Sequence, residues 1–162
     1  MQIREATAAD WPHIHPFWAT IVAAGETYAF PEHLSADEAA GWWMENPPGR
    51  TVVAVDDDGR VLGSAKMGPN RPGRGDHVAT ASLMVDPAYA GCGVGRALGT
   101  HVLGWARSAG YHGIQFNAVV ATNEVAVHLW RSLGFTVLAT VPEAFRHPTK
   151  GLVGLHVMYQ KL

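Results

Sequence analysis

A chain of 162 residues, 48% hydrophobic and 16% charged, carries enough apolar material for one packed core and too much to stay disordered. A formal net charge of −2 excludes a broad basic surface for nucleic acid, and no apolar run approaches the length of a membrane helix. One cysteine, Cys92, excludes an internal disulfide, and no charged-then-apolar leader opens the chain, so one soluble cytoplasmic domain, 1–162, is expected.

Gln2 to Ala6 alternates like a first strand. Thr7-Ala-Ala-Asp10 has capping-box spacing and opens a predicted helix to about Ala24, where Gly25 stops it. Ser35-Ala-Asp-Glu38 repeats the device for a helix to about Glu45, and Pro47-Pro48 forbids continuation. Arg50–Val55 and Arg60–Met67 read as a hairpin around Asp58-Gly59. A loop rich in Gly, Pro and Arg, 68–76, leads to a strand at His77–Val85. Gly95–Ser108 places Leu98, Val102 and Ala106 on one stripe, a helix ending at Gly110. Gly113–Ala121 is an almost continuous apolar run, as a central parallel strand shows. Thr122 is a candidate cap for a helix that stops at Gly134. Strands at Phe135–Val141 and Gly154–Leu162 close the chain. The order is β-α-α-β-β-β-α-β-α-β-β, with 77–85 and 113–121 flanking helix 95–108 as a right-handed βαβ unit.

The chemistry-bearing segment is Val85-Asp-Pro-Ala-Tyr-Ala-Gly-Cys-Gly-Val-Gly-Arg-Ala-Leu98. Gly91, Gly93 and Gly95 let the backbone curl with its N–H groups inward, and the helix start behind them adds unpaired N–H groups and a positive dipole end. That is a main-chain anion cradle suited to a pyrophosphate. A Walker loop is excluded because no Lys follows any of these glycines. A dinucleotide fingerprint is excluded because the third glycine falls one residue early and no acid lies between Asp86 and Glu124.

The same segment resembles the acetyl-CoA loop of the GCN5-related N-acetyltransferase (GNAT) superfamily, V-x-P-x-x-[QR]-G-x-G-[IVL]-[GA]-x-x-L. Val85, Pro87, Gly91, Gly93, Val94, Gly95 and Leu98 match, and Ala90 departs where the family has Gln or Arg. Asn123-Glu-Val-Ala-Val-His-Leu-Trp-Arg-Ser-Leu-Gly-Phe135 resembles the family's N-x-x-A-x-x-L-Y-x-x-x-G-F. The resemblance implies the GNAT fold, an α/β architecture with a mixed seven-stranded sheet and about four helices. It implies acetyl-CoA as acetyl donor, no metal and an amine acceptor, and it leaves a homodimer open. Pantetheine would pair with Leu83, Met84 and Val85, with an oxyanion donor at the N–H near Val85. Gly91, Cys92, Gly93, Val94 and Gly95 would hold the pyrophosphate, with Arg96 at the rim. Asn123 would bond the pantetheine or adjacent main chain, or act as a first-turn polar group of its helix. Trp130 would cover the cofactor.

Two departures fall on the acid and base. Thr80 stands five residues before Val85, where relatives acting on small amino acids often have Glu, and threonine takes no proton near neutrality. His77, Glu26, Glu32 or water remain as candidate bases. Trp130 stands at the family's acidic Tyr, and an indole N–H donates a hydrogen bond without surrendering its proton. The thiolate then leaves unassisted or with help from Ser132 or water. Asn117, expected to be a buried amide in the middle of its strand, needs partners, and pantetheine, acceptor and Thr80 are the candidates. Phe-Asn-Ala-Val-Val120 with Ala-Phe-Arg-His-Pro148 resembles fungal and bacterial acetyltransferases that include one acting on proline analogues such as azetidine-2-carboxylate. Arg146 or His147 is then a candidate carboxylate ligand. Tyr28 and Phe30, with Phe17 and Trp18, are candidate walls of an acceptor pocket or plain core. Three readings stand: an enzyme acetylating a small-molecule amine, an enzyme acting on protein or peptide amines, and a non-catalytic acetyl-CoA-binding module.

Overall fold

In the computed structural model, which describes all 162 residues, the strands join one mixed sheet in the order β1-β2-β3-β4-β5-β7-β6. They are β1 (Gln2–Glu5), β2 (Arg50–Val55), β3 (Val61–Pro69), β4 (Val78–Val85), β5 (Gly113–Val120), β6 (Thr136–His147) and β7 (Gly151–Lys161). The helices are α1 (Trp11–Ala24), α2 (Ala36–Trp43), α3 (Val94–Ser108) and α4 (Glu124–Ser132). This is the expected element order and sheet. None of the helices is long and apolar enough to cross a membrane.

Two cores face the two sides of the sheet. Strand alternation sends Ala65, Met67, Ala79, Ile114 and Phe116 toward α3 and α4, where Leu98, Val102 and Trp130 fill the layer. The opposite side buries Trp11, Ile14, Phe17, Trp18 and Trp43 of α1 and α2 against Val53, Val55 and Met84. Phe17 and Trp18 are therefore core residues. Trp43 brings a polar handle inside, and its Nε1 donates to Ser64 Oγ at 2.9 Å while that hydroxyl donates to the Val52 carbonyl at 2.8 Å.

The helix entrances follow their caps, with local differences. Thr7–Asp10 closes a 3-10 turn over Ala8–Asp10, and α1 proper begins at Trp11. Gly25, at φ 65°, ends α1 in the left-handed conformation expected of that glycine. Ser35 and Glu38 form the second capping box, and α2 stops at Trp43. Asn123, rather than Thr122, caps α4, its Oδ1 accepting from the Ala126 N–H at 3.2 Å.

Asp10 anchors the first turn. Its carboxylate accepts from the Thr7 N–H at 2.7 Å and from both Arg4 guanidinium nitrogens at 2.9 and 2.7 Å, and its side chain is 8% exposed. The Arg4 hydrogen bonds hold its pKa far below the usual carboxylate range, against the opposing effect of burial. A depressed folded-state pKa contributes stability that is complete above the unfolded value of about 4 and is lost as pH falls below it. Asp10→Asn should therefore lower Tm at pH 7, and its deficit against the wild type should shrink progressively below about pH 4. Parallel thermal melts across pH 2–8 read this directly.

The closing strands differ most from expectation. The stretch 144–148 is not a loop between short strands, because Ala144–His147 completes β6, which turns over Pro148–Lys150 into β7. Pro142 and Glu143, the latter at φ 52°, sit in a register shift between Val141 and Phe145. A bulge on an edge strand absorbs residues that a central strand would reject.

Candidate active site

The site exists because β4 and β5 part. They are the only parallel neighbours in the sheet, and they pair solely at Val78↔Gly113 and Ala79↔Ile114. Beyond that point β5 is bulged against β7 between Phe116 and Val119. A bulge bends its strand, and here it carries β5 away from β4. On its other side β4 remains fully paired to β3, from Gly63↔Val85 to Pro69↔Ala79. Antiparallel alternation, bracketed by Asn70 N–H to Val78 O and Asp86 N–H to Leu62 O, assigns the even residues of β4 to β3. The N–H and C=O groups of Ala81, Leu83 and Val85 consequently face the gap.

The gap is a cleft of about 710 Å³, long enough to run from the glycine loop to α2. At one end lie Tyr89, Ala90, Gly91, Gly93, Val94 and Gly95. Gly91 and Gly93 have φ of 78° and 80°, and a Cβ at either would meet nothing within 4 Å, so the backbone there borders open space. The N–H groups of Gly91, Gly93, Val94, Gly95 and Arg96 have no acceptor in the protein. Unpaired N–H groups at a helix start bordering open space have the geometry of an anion cradle, and they fit the pyrophosphate of a nucleotide cofactor. Gly95 differs from its two partners. It already lies in α3, and its Cβ would stand 3.4 Å from Leu129 Cδ2 and 3.6 Å from Val85 Cγ2. Two of the expected cradle side chains lie off the cleft lining. Arg96 donates to Ser132 Oγ at 2.9 Å, and Cys92 is exposed with Sγ 3.8 Å from the Ala90 carbonyl. Ser132 in turn donates to the Leu129 carbonyl at 2.7 Å, so its hydroxyl is committed to α4 and not to a leaving thiolate.

The middle of the cleft is walled by Leu83, Met84 and Val85 on β4 and by Phe116, Asn123 and Trp130 across the gap. Trp130 is buried, with its ring 4.2 Å from Phe116 and 5.3 Å from Phe135 between centroids. It is core and cleft wall together.

The far end carries the acceptor-side groups. Thr80, Ser82 and Asn117 form a polar floor with Lys66, and Tyr28, Phe30 and Trp42 stand over it. Tyr28 and Phe30 stack at 5.0 Å, Phe30 meets Trp42 at 5.6 Å, and Lys66 Nζ lies 5.9 Å from the Phe30 centroid. Lys66 and Trp42 were not singled out by the sequence, since a lone lysine in a strand and a tryptophan in a helix carry no pattern. Lys66 Nζ donates to the Trp42 carbonyl at 2.7 Å and to Glu45 Oε1 at 3.0 Å.

Asn117 lies in the cleft but is exposed, not buried, and its partner is not Thr80. Its Nδ2 donates to Asn70 Oδ1, and its Oδ1 accepts from Gln115 Nε2 at 2.9 Å. The β5 bulge turns it outward. Two further expectations fail on placement. His77 precedes β4 at the closed end of the gap, exposed and edge-on to His112 at 5.6 Å, away from the cleft. Arg146 alternates outward on β6, and its neighbour Phe145 faces the cleft instead. His147 is buried, with Nδ1 accepting from the Thr149 and Lys150 N–H groups at 3.2 and 3.3 Å to close the β6–β7 turn. Glu26 and Glu32 are exposed and outside the cleft lining.

A splayed parallel pair, a glycine cradle at a helix start and a cleft running through the sheet define an acyl-CoA-dependent transferase. The chain belongs to the Acetyltransferase (GNAT) family, whose model matches residues 9–135. It is an N-acetyltransferase that uses acetyl-CoA as its acetyl donor. The N-acetyltransferase aca1 of Schizosaccharomyces pombe is 32% identical over 77% of this chain and 66% of its own length. The L-amino acid N-acyltransferase MnaT of Escherichia coli is 30% identical over 88% of this chain and 84% of its own. A GCN5-related N-acetyltransferase from Kribbella flavida has the same fold with a TM-score of 0.97, at 60% identity over 99% of this chain and 97% of that one.

Proposed function

We propose that the protein transfers the acetyl group of acetyl-CoA to the amine of a small amino acid or proline analogue, by direct attack with both substrates bound. The carrying observation is the far end of the cleft, where Tyr28, Phe30 and Trp42 cover a floor of Thr80, Ser82, Lys66 and Asn117. Lys66, Thr80, Ala81 and Ser82 also border a polar side cavity of about 220 Å³ lined by Glu45 and Asn46. Aromatic cover over a short polar floor suits a compact, zwitterionic molecule better than an extended peptide. The name of MnaT, an L-amino acid N-acyltransferase, points the same way.

In this reading the unpaired N–H groups at residues 91–96 hold the pyrophosphate, and the gap-facing amides of Ala81, Leu83 and Val85 pair with pantetheine and stabilise the oxyanion. No carboxylate of the cleft lining faces the reacting end, so a neutral amine or a water-relayed proton takes the place of a protein base. A panel of L-amino acids, proline, azetidine-2-carboxylate and short peptides, each followed by free-thiol release from acetyl-CoA, tests this. At least one small acceptor should release thiol well above the no-acceptor rate. Release with peptides alone would move the activity to protein termini, and CoA binding without release for any amine would leave a binding module.

A further inference from the structure

Thr80 and Trp130 stand where the family pattern suggests a proton-transferring Glu and Tyr, yet one hydroxyl is aimed at the cleft from the opposite wall. Tyr28, on the loop between α1 and α2, donates from Oη to the Leu83 carbonyl at 2.6 Å. That carbonyl faces the gap between β4 and β5, where splaying removes its strand partner. The ring is locked by stacking on Phe30 and by an edge contact with Trp43 at 6.2 Å. The Ser82 hydroxyl, in the same cleft lining, is the one protein group that donates a hydrogen bond to Tyr28 Oη, and it leaves the second lone pair of that oxygen for the cleft. Thr27, beside it in the cleft lining, also keeps a buried hydroxyl with no protein partner.

Taking the cleft as the acetyl-transfer site, we propose that Tyr28 Oη is the hydrogen-bond acceptor that holds the attacking nucleophile against the thioester. Its proton is fixed on Leu83, so its lone pair is directed at an N–H of the incoming amine, beside the strand amides that would receive the oxyanion. As the amine nitrogen bonds to the thioester carbon, the carbon–sulfur bond breaks. The surplus amine proton passes through solvent to the departing sulfur, giving the amide and free CoA. Tyr28 retains its proton throughout. Burial holds the phenol well above its ordinary pKa, which suits a fixed acceptor and disqualifies it as the base. Tyr28 is thus a catalytic residue by contact and orientation, not by titration.

Tyr28→Phe keeps the ring stack and removes the acceptor atom. With the best acceptor from the panel, kcat/KM for the amine should fall about ten- to a hundredfold. CoA affinity should stay within about twofold, because the cradle is untouched. The pH–rate profile should keep its shape, since no titrating group is removed. A second readout needs no acceptor. Water is the nucleophile in slow acetyl-CoA hydrolysis, and it should lose a similar factor in the variant. If no panel amine is acetylated, the small-amine reading fails while the hydrolysis comparison still decides the role of Tyr28. Equal hydrolysis and equal amine kcat/KM in the two proteins would overturn the proposal. So would a loss accounted for wholly by weaker CoA binding or by a lower folded fraction in thermal melts.

Discussion

Gly93→Val should weaken CoA binding by at least about tenfold while leaving a folded protein. Gly93 holds φ 80°, a region costly for any residue with a Cβ and most of all for a β-branched one. The space beyond it is open, since an added Cβ meets no atom within 4 Å, so steric overlap with the protein is not the source of the loss. The chain either bears the left-handed strain, roughly 1–2 kcal/mol, or flips the turn and re-aims the N–H groups of Gly93 and Val94. Either way the isopropyl group enters the space in which a pyrophosphate would lie. Each charge-assisted hydrogen bond lost is worth about 1.5–3 kcal/mol, and one such loss already exceeds a factor of ten in affinity. Gly95→Ala is the contrasting variant. Its φ is helical and its Cβ would make ordinary contact with Leu129 and Val85, so CoA affinity should hold within about threefold. Titration calorimetry with CoA separates the two. Unchanged affinity in folded Gly93→Val would move the phosphate site elsewhere.

The architecture was readable because its signals are local. Cap spacing marks the 3-10 turn that leads into α1 and the start of α2, the Asp58-Gly59 turn marks the β2–β3 hairpin, and glycine spacing marks the loop whose N–H groups have no acceptor in the protein. What sequence could not place depends on bulges and on contacts across the sheet. A continuous apolar run over 113–121 implies a strand buried on both faces and so a buried Asn117, but β5 bulges between Phe116 and Val119 and Asn117 is exposed. Ending the strand at Val141 leaves Arg146 in a loop, whereas β6 continues through a register shift between Val141 and Phe145 to His147 and turns Phe145, not Arg146, to the cleft. Asn70 meets Asn117 across 47 residues, and Tyr28 reaches Leu83 across 55. Neither pairing leaves a trace in a single sequence, since two distant asparagines, or a tyrosine and the main-chain carbonyl of a leucine, form no pattern. His77 failed for a different reason. It lies next to β4 in sequence, but at the end where the strands are still paired, and only the extent of the splay separates the closed end from the open one.

Trp130 carries two roles that substitution can separate, and Trp130→Ala should be among the most damaging changes in the chain. The indole is 6% exposed, meets Phe116 and Phe135, and fills the contact between α3 and α4, where a Cβ on Gly99 would come within 3.3 Å of its ring. Truncating a buried aromatic costs about 3–5 kcal/mol through lost contacts and residual cavity. For a chain of this size that is a fall in Tm on the order of 10 °C. Because the same ring walls the cleft between Val85 and Asn123, CoA affinity should drop with it. Trp130→Tyr keeps an aromatic ring against Phe116 and restores the hydroxyl found at this position in the family. General acid catalysis is worth about 10²–10⁴-fold when proton transfer limits the rate. A CoA thiolate is a good leaving group, and attack by an amine with no protein base beside it is the harder step. The Tyr variant should therefore change kcat by less than about tenfold. A hundredfold rise, with a new basic limb in its pH–rate profile, would show that departure of the thiolate had been limiting and that the indole had been holding the enzyme back.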